Sequence, residues 1–174
     1  MHWLWIDRVV ELVPRTRLVA LKNVSLAEDH LHDHFAADPV RKRAAMPIMP
    51  ASLIIEGVAQ SSGILVGHAE GFREKCVLAK VSKAELDREV LPGQTLRYTV
   101  NMIQFDTVGA STLSVVEVMD LSKPNPGWAE IGRIELMFSH IDRNMAGIEF
   151  PSHNFVFSDT FRTLLKTSGI AVDF

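Results

Sequence analysis

Cysteine is almost missing from this chain: Cys76 is the only one among 174 residues. A lone cysteine excludes an internal disulfide, so a reducing compartment, the cytoplasm, fits. No nucleophile motif surrounds Cys76, which reads as a small hydrophobe in a strand. An excess of basic charge is also lacking. Eighteen Lys and Arg stand against 21 Asp and Glu, net −3, which gives no reason to expect nucleic acid. No apolar run is long enough to span a bilayer, because the most apolar segment is broken by Glu56 and Gln60. Residues 1–6 carry no basic region and only a short apolar run, so no signal peptide is expected. Repeats and low-complexity tracts are absent. What remains is an ordinary globular composition, 47% apolar and 22% charged, long enough for one domain with a real core.

The pattern along the chain changes period twice. Residues 5–12 and 17–25 read as two strands around a turn at 13–16. Residues 26–50 read as loop, with Pro39, Pro47 and Pro50 and little periodicity. A helix is expected over 51–68, about 25 Å at 1.5 Å per residue. Pro50 suits its start and Gly71 its end. It is apolar on nearly every side, so the sheet should enclose it, and Gly57, Ala59, Ser61, Ser62 and Gly63 would let strands come close. Four longer strands are expected over 75–86, 94–105, 109–120 and 128–141, joined by turns at Leu91-Pro92-Gly93, 106–109 and 123–127. Two strands, one buried helix and a long antiparallel run make an α+β domain with a helix wrapped in a curved sheet. Residues 142–174 form an extension to this 1–141 domain. Ser158 and Asp159 could cap a short helix reaching Lys166. Phe150, Phe155, Phe157, Phe161, Leu164 and Leu165 make the extension too apolar to stay free, so it should pack on the body or on a partner subunit.

The chemistry is concentrated in residues 30–60, HLHDHFAADPVRKRAAMPIMPASLIIEGVAQ. A polar, histidine-rich loop runs into the apolar helix, which carries one acid, Glu56. A charged group in such a place is paired or used. With His34 and Phe35 upstream, a general acid and base pair is suggested. Gln60 lies one turn beyond Glu56 on the same face and could orient the carboxyl. The plainer readings are a buried Glu56 paired with an arginine, and His34 as an ordinary loop histidine. A metal site is a further reading, since His30, His32 and His34 alternate with Asp29 and Asp33 among them. An extended segment would put all three imidazoles on one side, but no second ligand cluster follows.

This stretch resembles the (3R)-hydroxyacyl-[acyl-carrier-protein] dehydratases, whose motif reads H-F-P-G-x-P-x-M-P-G before a helix with the catalytic acid and a Gln four residues on. The matching residues are His34-Phe35, Pro47-Ile48-Met49-Pro50, Leu53, Glu56 and Ala59-Gln60. Trp5-Ile6-Asp7-Arg8-Val9 looks like the family's opening strand, and the run from Ala129-Glu130 to Leu136-Met137-Phe138 like its last. The resemblance covers roughly residues 4 to 140 and implies a hotdog fold.

It also implies an activity: loss of water from a 3-hydroxyacyl thioester. That reaction needs a base for the C2 proton, an acid for the departing 3-hydroxyl, and a partner for the charge on the thioester oxygen. Neutral imidazole, a carboxyl kept protonated by apolar surroundings, and a helix N-terminus suit these tasks. The candidates are His34, Glu56 and the backbone at Ala51. In the resembling family base and acid come from different subunits, so a homodimer with shared sites is implied, with no metal and no cofactor. The substrate would arrive on acyl carrier protein, and Arg41, Lys42 and Arg43 form the densest basic run for docking it. Two departures stand out. About eight extra residues, in the region 38–46, separate His34 from the Pro-Ile-Met-Pro element, and Ala51 replaces a glycine. The family's isomerising branch uses Asp where Glu56 stands, which favours plain dehydration. The alternatives are a hotdog subunit that binds acyl thioesters without turnover, or a hotdog thioesterase.

Overall fold

The computed structural model describes residues 3–33, 35–141, 150–151, 154 and 156–172, with backbone alone at 32 and 33. In chain order the elements are β1 (Arg8–Val13), β2 (Arg17–Asn23), α1 (Asp29–Asp33), α2 (Ala51–Ala69), β3 (Cys76–Leu86), β4 (Gln94–Phe105), β5 (Gly109–Asp120), β6 (Trp128–His140) and α3 (Asp159–Thr167). The six strands make one antiparallel sheet in the order β1-β2-β4-β5-β6-β3. Helix α2 packs across strands β2 to β6. This is the α+β hotdog architecture.

Alternation explains the layering. On β4, Leu96, Tyr98 and Val100 are buried, and on β5 Ala110, Thr112, Ser114, Val116 and Val118. Their neighbours along each strand are half-buried on the opposite face, as a sheet with one core face requires. The inner face meets Ile54, Val58, Ile64, Leu65 and Val66 of α2. Contact is close at two glycines. A Cβ on Gly57 would stand 2.7 Å from the Tyr98 hydroxyl oxygen, and one on Gly67 would stand 2.6 Å from the Phe157 ring. Pro50 caps the start of α2 in an extended conformation. At the other end Phe72 N–H donates to Gly67 O and Gly71 N–H to His68 O, a Schellman closure.

Element ends fall within a few residues of the sequence reading. The larger difference is inside 26–50, expected as plain loop. Residues 29–33 form a helical turn, held by the buried Leu31 and by the nearly buried Lys22. The Lys22 ammonium pairs with Asp7 at 3.3 Å and with Glu28, which stands at the turn's entrance. Helical rather than extended backbone corrects the geometry assumed for the metal reading: positions 30 and 32 diverge by about 200° around a helix instead of sharing a side, and His34 lies outside the described residues. The inserted segment is a second local structure. Asp38 and Arg43 exchange backbone hydrogen bonds of 3.0 and 2.9 Å, and Asp38 holds Arg41 by its backbone N–H and its guanidinium. This small hairpin points outward, with Val40 at its tip 93% exposed.

Residues 156–172 lie against the body. Leu164 and Leu165 of α3 are buried in the core, Asn154 donates to the carbonyls of Phe72 and Glu74, and Ser168 Oγ accepts from Val9 N–H at 3.0 Å.

Candidate active site

Helix α2 sets the site by its period. Glu56 and Gln60 stand one turn apart, and Gln60 Nε2 donates to Glu56 Oε1 at 2.9 Å. The amide itself is pinned by the chain's start. Trp5 N–H donates to Gln60 Oε1 at 2.8 Å, and Gln60 Nε2 also donates to Trp3 O at 3.2 Å. With its oxygen taken by a backbone donor, the buried amide can only donate toward the carboxyl. One oxygen of Glu56 is therefore fixed, while Oε2 has no partner among the described residues.

The half-buried Glu56 borders a cavity of about 340 Å³. Its walls are mainly apolar: Gly63 on α2, Val77 and Leu78 on β3, Phe138 on β6, and Phe157 and Phe161 from the C-terminal extension. Cys76 also lines it, but burial pushes its thiol up to about 12, which leaves it protonated and unreactive near neutral pH. A cavity of this kind suits an apolar chain whose polar end meets one carboxyl.

The start of α2 offers a second feature. Leu53 and Ile54 N–H donate to Pro50 O, whereas the N–H groups of Ala51 and Ser52 have no acceptor among the described residues. Both residues are exposed. Ala51 lies five positions before Glu56, on a different side of the helix and about 7.5 Å away along its axis. It lines neither the Glu56 cavity nor a neighbouring cavity of about 420 Å³ formed by Trp5, Glu28, His30, Ser52 and Leu53. His34 lies outside the described residues. His30 packs edge-on against Trp5, with ring centroids 4.6 Å apart, and its Nε2 is 3.9 Å from Glu28. Among the described residues no group of three His, Cys, Asp or Glu is arranged to hold a metal ion. Arg41, Lys42 and Arg43 are exposed on the inserted hairpin.

Two sets of site residues escaped the sequence reading. The Trp3 and Trp5 backbone groups carry no signal, because any residue supplies an N–H and a carbonyl. The cavity walls from β3 and the extension had one, the phenylalanine-rich tail, but not its destination.

The comparisons with known proteins converge on this helix and sheet. The model of the FabA-like domain family matches residues 1–120. A 3-hydroxyacyl-[acyl-carrier-protein] dehydratase FabZ of Geobacter metallireducens is 39% identical over 101 residues, 56% of this chain and 62% of the relative. The FabZ of Myxococcus xanthus is 32% identical over 126 residues, 68% of this chain and 77% of the relative. The chain thus spans under two thirds of the Geobacter relative's length and more of the Myxococcus one. Among solved structures, the dehydratase heterocomplex ApeI:P of Xenorhabdus doucetiae has a TM-score of 0.59 at 14% identity, covering 82% of this chain and 86% of that one. An acyl-CoA hydrolase of Staphylococcus aureus has 0.55 at 13%, covering 88% and 82%. At such identities these two share the fold and no more. The family match spans well over half of the 174 residues, and with it the Glu56 helix and strands β1 to β5: the chain belongs to the FabA-like domain family.

Proposed function

We propose that this protein removes water from a (3R)-hydroxyacyl thioester carried on acyl carrier protein, giving the trans-2-enoyl thioester, in fatty acid or related acyl-chain synthesis. The observation that carries this reading is Glu56, the acid at the wall of an apolar cavity, with one oxygen held by Gln60 and the other open. The relatives named as dehydratases point the same way. In the reaction His34 takes a proton from C2, the C2–C3 double bond forms, and the C3–O bond breaks. The Glu56 carboxyl protonates the departing hydroxyl, which leaves as water. Gln60 holds the carboxyl in place, while the open N–H groups at Ala51 and Ser52, exposed at the start of the helix and outside the Glu56 cavity of the single chain, would serve the thioester oxygen only if the thioester end extends past Glu56 to the helix start.

The same reading makes the protein a homodimer in which His34 of one subunit works with Glu56 of the other. Support comes from β3, an eleven-residue sheet edge exposed from Leu78 to Glu85, with Leu78, Val81 and the adjoining Met137 of β6 all more than a third exposed. The carrier protein docks at Arg41, Lys42 and Arg43. No described helix is long and apolar enough to cross a membrane, and the lone thiol fits a cytoplasmic setting.

The decisive assay follows enoyl thioester formation from a 3-hydroxyacyl thioester. His34→Ala and Glu56→Gln should each lower turnover by about 100-fold to 10,000-fold with the fold intact. Near-normal turnover in either variant would remove that residue from the mechanism. Release of free acid and thiol in place of the enoyl product would make the protein a thioesterase.

A further inference from the structure

The Glu56 cavity has an end, and that end is built by a part of the chain beyond the family match. Glu56, Gln60, Gly63 and Gly67 are spaced at i, i+4, i+7 and i+11, so they follow one face of α2. The trough over this face is open at Gly63, where an added Cβ would meet only the Phe138 ring at 3.8 Å. It is filled at Gly67, where the Phe157 ring occupies the space a Cβ would need. Phe157 is itself anchored. It stands edge-on to Phe72 at 5.0 Å and to Phe161 at 5.9 Å, and Asn154 ties the preceding chain to the carbonyls of Phe72 and Glu74. Val156 and Phe161 complete the same wall.

We propose that the C-terminal extension, through Val156, Phe157 and Phe161, is the far wall of the acyl-binding cavity and restricts the substrate to acyl chains of medium length. This deepens the dehydratase reading and rests on Glu56 marking the reacting end. The helix gives the ruler. From Glu56 to Gly63, the last open position, it rises about 10.5 Å, and Gly67, about 16 Å away, is already filled. An extended chain advances roughly 1.2 Å per bond, from about 3.5 Å per three-bond residue, so about eight or nine bonds fit beyond the C3 that Glu56 marks. This favours a chain of about ten to twelve carbons over a very short or a very long one.

The test uses the full-length protein and 3-hydroxyacyl thioesters of about four, ten and sixteen carbons, compared by kcat/KM. The matching saturated acyl thioesters, which cannot lose water, are compared by binding. The unaltered protein should prefer the middle length in both assays. Phe161→Ala opens the wall and should raise the longest substrate relative to the middle one by about 10-fold or more. Gly63→Leu fills the trough short of the wall and should shift preference the other way, toward the shortest, by a similar factor. Circular dichroism and Tm establish that each variant is folded. Should Phe161→Ala unfold, Gly63→Leu alone decides. A binding profile that shifts with no turnover at any length would sink the dehydratase reading and leave the wall standing. A length profile unmoved in the folded variants, or one that favours the longest chain from the outset, would overturn the wall.

Discussion

The two edges of the sheet are treated in opposite ways. β1 is short, six residues with a bulge between Val9 and Glu11, and the chain covers it with its own C-terminal extension. Ser168 Oγ takes the Val9 N–H, and Leu164 and Leu165 seal the join. β3 is eleven residues long and pairs on one side only, with β6. No described segment covers its outer side, and its apolar Leu78 and Val81 face solvent in the single chain. An uncovered edge of this length is a template for another strand. One edge is thus closed within the chain, and the other is open, the edge that the proposed dimer would cover with a second copy. The open edge begins at Cys76, Val77 and Leu78, which also wall the Glu56 cavity. Completing the sheet and completing the proposed site are then one event.

The largest effect should come from attacking the open edge. Val81→Asp places a charge where the proposed two-fold contact would bury apolar surface. Sedimentation at micromolar concentration should show the proposed dimer falling to monomer, and dehydration should drop by about 100-fold or more, because in the proposed mechanism the acid then loses its partner base. Val10→Asp, an equally exposed position on β1, should change neither. If Val10→Asp dissociates the protein and Val81→Asp does not, the roles of the two edges are reversed.

Next in size is the closed edge itself. Leu165 is fully buried, so Leu165→Ala should cost about 2 to 5 kcal/mol of stability in denaturant unfolding. Ser168→Ala removes the acceptor for Val9 N–H and should cost about 1 kcal/mol. Both variants should remain dimeric. Dissociation on losing Ser168 alone would mean that the extension serves the assembly and not merely its own subunit.

What could be read from the sequence follows from how local each cause is. β4 and β5 are apolar-rich runs bounded by the turns at Leu91-Pro92-Gly93, 106–109 and 123–127, and α2 lies between Pro50 and Gly71, so their existence was legible from neighbours in the chain. The spacing of Glu56 and Gln60 placed both on one helix face for the same reason. The helical turn at 29–33 was not legible, because it depends on Lys22 reaching Asp7 and Glu28 from the sheet. The metal reading of the histidines there depends on an extended backbone for the same reason. The anchoring of Gln60 by Trp3 and Trp5 is a backbone matter and leaves no mark in residue types. The tail's phenylalanines announced burial, while the meeting of Phe157 with Gly67 is a tertiary fact spanning 90 positions. The exposure of β3 was equally hidden, since its residues, KCVLAKVSKAEL with Lys75, read like any half-covered strand.

The smallest effect should arise at a surface belonging to neither edge, the inserted hairpin. It is self-contained: the Asp38–Arg43 bridge closes it, and Arg41 is the only one of its three cations paired among the described residues, with Asp38. Replacing Arg41, Lys42 and Arg43 with Ser should therefore leave stability and dimerisation close to unchanged, which checks that the losses at β3 are local. Its consequence should be kinetic. The protein is net −3 and the proposed carrier is also acidic, so encounter needs a local basic patch to offset the overall repulsion. The triple variant should lower kcat/KM for carrier-linked substrate by a few-fold, about 3 to 10 at low salt, through slower association. Raising ionic strength to about 0.5 M should shrink that difference, because the Debye length then falls to a few ångströms. A small uncharged thioester should be turned over equally well before and after the change. Equal kinetics with both substrates would place carrier docking elsewhere on the surface and leave the hairpin as a solvated insertion.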